Sequence, residues 1–377
     1  MDIALIRSET EFLALREQWN TLVDASVYPN IFMTWDWQSI WWKWFGKKTD
    51  SSELFILTIK KDGELIGVVP FYRRRRQPPL FLGKHLNFIG FGGLTCPEYL
   101  GPIVRQGFIE EVADATVEFL KSNPSEWDSL FIEDYALDDP ATVALAGRLS
   151  ASFAGYSSEG ESRLTIQFTG DYDAYMQTLS YNSRRQRRKR FNQAHARFGA
   201  RIEYPKSEDL DNAFPTLVAL TTQARDRHEQ VNPFHDASYA GFHRELLEAL
   251  LPKNRAVLAL LHLNEKPAAI WYVFLLNEKC YAYQQGFLPE FESGSPSDVC
   301  QQFLIRRLTE EHFEDFDYAR GRQAYKKSVA NSERPTRWAC VFRKPGLNFW
   351  LRRFIDLMLK PIARKVRNYL RTRILKK

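Results

Sequence analysis

The fold is decided by residues 279–321, which read KCYAYQQGFLPEFESGSPSDVCQQFLIRRLTEEHFEDFDYARG. A strand-like run over residues 280–288 leads into a loop, then into a helix over residues 299–312, and then into a second strand at residues 315–320. A helix that connects two strands of one sheet makes them parallel, since the chain re-enters the sheet in the same direction. We therefore predict a pair of parallel strands joined by a crossover helix.

The segments on either side of this unit predict antiparallel hairpins. One hairpin, RAVLALLHLNEKPAAIWYVFLL (255–276), comes immediately before it. A similar one, ELFILTIKKDGELIGVVPFY (53–72), lies in the first half, where Asp62-Gly63 is a strong turn signal. Because the first half also continues with a helix and a strand, the two halves follow the same order of elements.

This repeated order predicts an α/β duplication with mixed sheets. We place one unit at residues 1–150, a second at residues 151–345 and a tail at residues 346–377. The first unit is expected to be mainly structural or to shape a cleft, and the second to carry the functional site.

The composition is typical of a globular protein with an extensive core: 377 residues, 44% hydrophobic, 26% charged and 14% aromatic. No apolar run reaches the about 18 residues that suggest a transmembrane helix, and the first residues lack a secretory signal pattern. The four cysteines are scattered without the spacing of metal ligands. We expect a cytoplasmic protein with free thiols and no metal.

The positive charge is concentrated at the end of the chain, where residues 343–377 carry 12 Lys and Arg against one acid, Asp356. Apolar residues recur there at helical spacing, which predicts a basic amphipathic helix. The apolar stripe consists of Leu347, Leu351, Phe354, Met358, Ile362, Val366, Tyr369 and Ile374. Such a helix either lies in the interface of an anionic membrane or packs on the body, and both interpretations stay open.

Two further basic clusters occur in the body. Residues 183–201, SRRQRRKRFNQAHARFGAR, predict a helix that ends at Gly199 and presents either a solvated face or a surface for anions such as phosphate. Residues 73–76 are four arginines that follow a predicted strand and precede Gln77-Pro78-Pro79, which predicts a loop.

The order of elements and four stretches resemble the CelD-like acetyltransferases, a bacterial family of the GNAT superfamily linked to cellulose and exopolysaccharide production. The stretches are FMTWDWQSIWWKWFG (32–46), SYNSRRQRRKRFNQAHARFG (180–199), PAAIWYVF with SGSPSDVCQQFLI (267–274 and 293–305), and FDYARGRQAYKKSVAN (316–331). The resemblance covers most of the chain without the basic tail. It implies tandem GNAT-like folds, related to the FemAB aminoacyl transferases.

The resemblance also implies a donor site. In GNAT folds two parallel strands splay apart, acyl-CoA inserts its pantetheine between them, and its pyrophosphate meets the start of the next helix. Free N–H groups and the helix dipole favour phosphate at such a start. The implied donor-binding residues are Gln285, Gly286, Gly294, Ser295 and Ser297.

The loop before this helix departs from the family pattern. GNAT enzymes usually carry Gln/Arg-x-x-Gly-x-Gly/Ala there, whereas this chain has ESGSPSD, with the acidic Asp298 where phosphate would arrive. The departure supports a second hypothesis, in which the donor is aminoacyl-tRNA, as in the FemAB relatives.

Amide formation needs a base for the amine proton and a group that polarises the acyl carbonyl. Asp317, Tyr325 and Lys326 cluster just after the last strand and are the candidate catalytic residues. Asp317 is expected to orient or deprotonate the amine, or else to be a strand-end carboxylate bonded to backbone. Lys326 is expected to hold an anion or polarise a carbonyl, or else to be a surface lysine.

The candidate acceptor-binding residues are Arg184, Arg185, His228, His235 and Gly321. The two arginines suit a phosphate or an acidic sugar, the histidines flank a helix end, and Gly321 permits a turn. The chain contains no nucleophile elbow, phosphate-binding P-loop or zinc-protease motif.

We therefore predict an enzyme that transfers an acyl group from acetyl-CoA or another acyl-CoA to an amine. The acceptor is expected to be a small molecule or a glycan precursor of envelope or exopolysaccharide, reached at the inner face of the bacterial membrane. Two alternatives stay open. One is an aminoacyl-tRNA-dependent transferase, with tRNA as the one nucleic-acid partner, and the other is a catalytically silent scaffold for polysaccharide synthesis.

Overall fold

The computed structural model describes residues 1–47, 52–76, 83–92, 94–321 and 323–359. Its strands are β1 (Asp2–Ile6), β2 (Ser52–Lys61), β3 (Glu64–Arg76), β4 (Gly83–Phe88), β5 (Ile103–Val104), β6 (Ser129–Ala136), β7 (Ala154–Glu159), β8 (Arg163–Gln167), β9 (Arg201–Glu203), β10 (Ala256–Leu263), β11 (Lys266–Leu276), β12 (Lys279–Phe287), β13 (Asp315–Asp317), β14 (Ser332–Arg334) and β15 (Thr336–Phe342). Its α-helices are α1 (Glu9–Ala14), α2 (Arg16–Asp24), α3 (Trp35–Trp41), α4 (Ile109–Ser122), α5 (Pro140–Ser152), α6 (Tyr172–Thr178), α7 (Tyr181–Phe198), α8 (Leu210–Arg227), α9 (Ala237–Leu250), α10 (Pro296–Glu310), α11 (Ala324–Lys327) and α12 (Leu347–Phe354).

The described strands form two mixed sheets. The first has the order β1-β2-β3-β4-β6-β15-β7, with β5 beside β3, and the second has the order β14-β8-β13-β12-β11-β10-β9. We call the first sheet with α1–α5 the first unit, and the second sheet with α6–α11 the second unit. Each sheet contains a parallel pair, β4 with β6 and β12 with β13. Since α4 and α10 lie between the paired strands in sequence, the predicted crossovers are confirmed in both units.

The chain passes between the two sheets more than once. Both β7 and β15 follow residue 150, yet they belong to the first sheet, where β15 is hydrogen-bonded between β6 and β7. In contrast, β8 and β14 pair with each other in the second sheet. Because the consecutive strands β7 and β8, and again β14 and β15, lie in different sheets, the chain connects the units at more than one point.

The predicted hairpin in the first half is confirmed. β2 and β3 pair in antiparallel fashion from Ser52 with Arg74 to Lys61 with Glu64. Asp62 (φ 51°) and Gly63 (φ 82°) both have positive φ between the strands. That is the geometry that a tight hairpin turn needs, and Asp-Gly supplies it readily.

The loop predicted for residues 73–76 is wrong, because β3 continues through these four arginines. Arg73 lies opposite Glu53 in the sheet. Its buried guanidinium forms ion pairs with both Glu53 and Glu126. Cross-strand pairing of charge thus stabilises a segment whose sequence lacks the apolar alternation of a strand.

The aromatic segment of α3 packs in the core. Trp37 and Trp41 are almost fully buried. The ring of Trp37 lies 5.2 Å from that of Phe242 and 5.3 Å from that of Phe274, both in the second unit. One apolar core therefore runs through both units and fixes them against each other.

The basic helix α7 ends at Gly199, as predicted. Gly199 has φ 55°, a left-handed conformation in which glycine avoids the penalty of a side chain. The helix is mostly exposed, and Arg187 and Ala194 are its buried residues.

Helix α12 begins the basic tail and packs one side on the first unit. Phe349 is buried against the rings of Tyr156 and Phe342. The buried Asp356 accepts hydrogen bonds from the Tyr156 hydroxyl (2.9 Å) and from Arg352 (2.7 Å). Ile355 and Leu357 are half-buried, whereas six other apolar residues of this stretch are exposed, namely Leu347, Trp350, Leu351, Phe354, Met358 and Leu359. The predicted stripe residues from Ile362 onward lie outside the described residues.

Candidate functional site

A cavity of about 870 Å³ opens where β12 and β13 separate. The two strands pair only from Lys279 with Asp315 to Tyr281 with Asp317. Beyond that point both chain segments line the cavity, through Tyr283, Gln284, Gln285, Phe287, Tyr318, Ala319 and Arg320. The splayed pair of parallel strands expected from the sequence is confirmed.

The start of α10 forms one end of this cavity. Ser295 lines it in a left-handed conformation (φ 52°), and Pro296 and Ser297 follow at the first helical positions. The Ser297 hydroxyl donates to the side-chain oxygen of Gln285, and the Ser297 carbonyl accepts from the indole of Trp271 at 2.9 Å. The helix start is thus held firmly against the separated strands.

The acidic residue at this helix start is neutralised within the protein. Asp298 accepts from the buried guanidinium of Arg187 at 2.7 Å and lies 3.5 Å from that of Arg190. The Nε and Nη2 atoms of Arg187 have no hydrogen-bond partner among the described residues. An anion that enters here therefore meets positive as well as negative charge.

The structure brings a different face of α7 to the cavity than the sequence suggested. Arg184 and Arg185 do not line it, and Arg184 instead donates to Gln177 at 2.6 Å. The residues of α7 that line it are Ser183, Gln186, Arg187 and Arg190. Their spacing of three to four residues places them on one side of the helix.

Tyr325 and Lys326 both line the cavity. The Tyr325 hydroxyl accepts from the side-chain nitrogen of Gln285 at 2.9 Å, and burial raises the pKa of Tyr325 to about 12. The Lys326 ammonium donates to the carbonyls of Tyr318 (2.8 Å) and Arg320 (2.6 Å). Burial lowers the pKa of Lys326 to about 8.

Asp317 is not brought to the cavity, because its carboxylate is occupied elsewhere. It is 1% exposed and accepts from Arg334 (2.5 Å), from the Tyr99 hydroxyl (2.5 Å) and from the backbone N–H of Ala319 (2.7 Å). The structure thus places it as a buried strand-end carboxylate that connects the two units.

The three glycines have different surroundings. A side chain on Gly286 would meet the backbone of Leu220 and Thr221 in α8 at 2.4 Å, so glycine permits close packing of α8 on β12. Gly321 has φ 96° and occupies a turn that favours glycine. Gly294 has open space around it, and neither Gly294 nor Gly321 lines the cavity.

The two histidines are separated. His228 lines the cavity, with its ring 5.9 Å from that of Phe287. His235 is exposed and lies outside the cavity lining.

The first unit closes the opposite side of the cavity through residues that sequence reasoning missed. Leu94, Cys96 and Glu98 reach it from the segment between β4 and β5. The carboxylate of Glu98 accepts from Arg163 at 2.7 Å and from the backbone N–H of Arg320 at 3.1 Å. Burial raises the pKa of Glu98 to about 7, although both arginines oppose this shift. The sequence gives one signal for this loop, a charged residue inside an otherwise apolar CPEYLGP stretch.

The described residues contain no group of three or more His, Cys, Asp or Glu side chains that could hold a metal ion. Among the same residues, no helix is long and apolar enough to span a bilayer.

Residues 179–327 match the acetyltransferase (GNAT) domain family. The matched range contains α7, the separated strands and the start of α10, and so most of the cavity wall of the second unit. The match therefore falls on the part of the second unit where the cavity lies. No curated protein sequence matches the chain.

Several solved structures share the fold over nearly the whole chain. FemX is 12% identical with a TM-score of 0.61, covering 89% of this chain and 97% of FemX. The C-terminal domain of a putative lysylphosphatidylglycerol synthetase from Agrobacterium fabrum is 10% identical, with a TM-score of 0.54 and coverage of 93% and 97%. L-PGS from Bacillus licheniformis is 10% identical, with a TM-score of 0.53 and coverage of 88% and 93%. These likenesses show that the α/β fold with mixed sheets is shared over nearly the whole chain.

Proposed function

We propose that this chain is a CelD-like N-acyltransferase that moves an acyl group from acyl-CoA to the amine of a sugar or another envelope or exopolysaccharide precursor. The observation that carries the proposal is the cavity between the separated strands β12 and β13, which opens beside the start of α10. A linear thioester fits between such strands, because their unpaired backbone groups can bind an extended chain.

The donor is proposed to enter along β12 with its phosphates at the start of α10. Ser297 supplies a backbone N–H there, and Arg187 and Arg190 supply positive charge. Both groups favour an anion at a helix start. Asp298 weakens this attraction, so the donor phosphates are held mainly by Ser297 and Arg190.

Carbonyl polarisation is assigned to Tyr325. Its hydroxyl lies in the cavity, stays protonated because of its raised pKa, and is positioned by Gln285. A fixed donor aimed at the thioester oxygen stabilises the negative charge that develops during acyl transfer. Lys326 is bonded to two backbone carbonyls and is assigned to shaping this region.

A second donor, aminoacyl-tRNA, is favoured by the outer face of α7. Arg185, Arg188 and Lys189 are exposed next to the residues of the helix that line the cavity. A basic helix at the mouth of a cavity suits a polyanionic donor better than a small one. This alternative keeps the same acyl-transfer chemistry and changes only the carrier of the acyl group.

The exposed side of α12 is proposed to hold the protein at an anionic membrane surface. Trp350 and Phe354 are 57% and 52% exposed, and Arg353 lies beside them. The sequence continues with eight further Lys and Arg after residue 359. Apolar side chains next to basic ones suit the interface of an anionic bilayer.

The donor assignment is tested by calorimetric titration of the full chain with acetyl-CoA and longer acyl-CoAs. We expect micromolar affinity that is lost in Ser297→Asp, because the new charge repels the donor phosphates. Ser207→Asp, at an exposed serine outside the cavity, is the matched control and is expected to bind normally. Absence of acyl-CoA binding combined with binding of aminoacyl-tRNA would replace the first donor by the second.

A further inference from the structure

The charged side chains that line the cavity do not balance one another. Among the described residues the lining cations outnumber the lining acids, and the acids are Glu98, Glu292 and Asp298. Each of these acids has an arginine partner, the pairs being Glu98 with Arg163, Glu292 with Arg227 and Asp298 with Arg187. The surplus positive charge therefore belongs to cations that no carboxylate neutralises.

Arg225 carries such an unbalanced charge. It lies near the end of α8 and is half-buried in the cavity wall. Its guanidinium donates to the carbonyl of Val231 at 2.8 Å and to the side-chain oxygen of Gln284 at 3.1 Å, and it forms no ion pair with the described residues. The other N–H groups of the guanidinium stay open to a ligand. Lys326 differs, because its ammonium already donates to two backbone carbonyls.

Close packing of α8 on β12 puts Arg225 in this place. A side chain on Gly286 would lie 2.4 Å from the α8 backbone at Thr221, so glycine lets the helix approach the strand. Arg225 follows Thr221 by one helical turn and lies on the same side of α8. It thus reaches Gln284, whose amide nitrogen donates to the buried Tyr239 hydroxyl at 2.7 Å. The guanidinium is held in a fixed position.

Arg225 and the start of α10 lie on opposite faces of the second sheet. Gln285 contacts Ser297 and Tyr325, whereas its neighbour Gln284 contacts Arg225. Successive side chains of a strand point to opposite faces, which accounts for the two sets of contacts. The cavity is lined by both sets, and so extends through the gap between β12 and β13.

We propose that Arg225 binds an anionic group of the acceptor, so that the chain prefers amines that also carry a phosphate or a carboxylate. Both groups accept paired, charge-assisted hydrogen bonds from a guanidinium. The acceptor enters from the α8 side, and its amine meets the acyl group held from the α10 side. The inference rests on the proposed acyl-transfer function and adds the chemical class of the acceptor. It gives Arg225 the part that the sequence suggested for Arg184 and Arg185.

The test uses the full chain with acetyl-CoA and three amines that share one sugar ring: glucosamine, glucosamine 6-phosphate and glucosaminuronic acid. Release of the CoA thiol is measured. For the wild type, kcat/KM is expected to be about 10- to 100-fold higher for an anionic amine than for glucosamine, the value of a hydrogen bond to a charged group. The two anionic amines separate phosphate from carboxylate. Arg225→Gln is expected to remove the preference, chiefly by raising KM for the anionic amines.

Arg227→Gln is the matched control, because Arg227 lies on the same helix and carries the same charge but does not line the cavity. It is expected to keep the preference for anionic amines. Arg225→Lys keeps the charge and loses the fork of N–H groups, so an intermediate preference is expected. This variant also serves as the test if Arg225→Gln fails to fold.

Calorimetric titration of the CoA-bound protein with each anionic amine measures the site without turnover. The wild type is expected to bind at least one of them about 10- to 100-fold more tightly than Arg225→Gln does. Binding that depends on Arg225 without acylation of any amine would overturn the proposed function and leave the anion site standing.

Three results would overturn the inference itself. The first is equal kcat/KM for all three amines in the wild type. The second is an unchanged preference in a folded Arg225→Gln variant, and the third is an equal loss in Arg227→Gln, which would assign the effect to the general charge of α8. A wild type that acylates no amine and binds neither anionic amine would overturn the proposed function and the inference together.

Discussion

The guanidinium of Arg187 and the carboxylate of Asp298 form a buried ion pair of 2.7 Å between α7 and the start of α10. The side chain of Arg187 is 2% exposed and that of Asp298 16%. The pair connects α7 to the end of the cavity and neutralises the negative charge of Asp298 there. It follows that the two helices depend on each other for electrostatic compensation.

Removing the acid of this pair is expected to destabilise the protein strongly. Asp298→Asn leaves a buried guanidinium without its carboxylate, which costs about 3 kcal/mol of unfolding free energy. Urea denaturation measures the loss. The control is Asp211→Asn, which breaks an exposed pair with Arg244 and is expected to cost less than about 1 kcal/mol. Equal losses in the two variants would contradict the prediction.

Gly286→Ala is expected to destabilise the second unit. The added methyl group would lie 2.4 Å from backbone atoms of Leu220 and Thr221, so α8 must move away from β12, at a cost of about 1–3 kcal/mol. Gly147→Ala, at an exposed site in α5 with open space, is expected to stabilise by about 0.5–1 kcal/mol. Thermal unfolding of both variants measures these changes. A Gly286→Ala variant as stable as the wild type would refute close packing at Gly286.

Tyr325→Phe is expected to lower kcat roughly 100-fold with acyl-CoA affinity unchanged, because it removes a fixed donor to the developing oxyanion. Since the pKa of Tyr325 is raised to about 12, the hydroxyl stays protonated and adds no pH dependence below about pH 11. Tyr181→Phe, at an exposed tyrosine on α7, serves as the control in the same assay. A full rate in Tyr325→Phe would remove Tyr325 from the mechanism.

The exposed side of α12 is expected to bind vesicles that contain phosphatidylglycerol, and to release them as salt is raised, because screening weakens the attraction of basic residues. Replacing Trp350 and Phe354 by Ser is expected to weaken binding severalfold in a flotation assay. The matched control replaces Leu13 and Leu137, which are exposed elsewhere, and is expected to bind normally. Equal binding to neutral phosphatidylcholine vesicles would argue against the proposal.

Local patterns in the sequence predicted much of the fold. The structure contains the strand-helix-strand unit near residues 279–321 and the Asp62-Gly63 turn. Both could be predicted because their conformation is set by residues that are close in sequence. The arginines of residues 73–76 were misassigned because their partners, Glu53 and Glu126, are distant in sequence. Charge pairing between strands is not visible in the hydropathy of one segment.

The sequence predicted several cavity-lining residues of the second unit, but not those that the first unit contributes. Gln285, Ser297 and Tyr325 come together because they lie within one local strand-helix-strand segment. Glu98 was missed, since its burial and its contact with Arg163 arise only when the two units meet. For the same reason the sequence did not reveal that Arg334 and Tyr99 donate hydrogen bonds to the carboxylate of Asp317.

The position of β15 has a consequence for synthesis on the ribosome. β6 is made early, but its hydrogen-bonding neighbour β15 emerges only with residues 336–342. Until then β6 has an unpaired edge, which can template pairing with other chains. The unit that is translated first is therefore the last to be completed, and one edge of β6 stays open until β15 has been made.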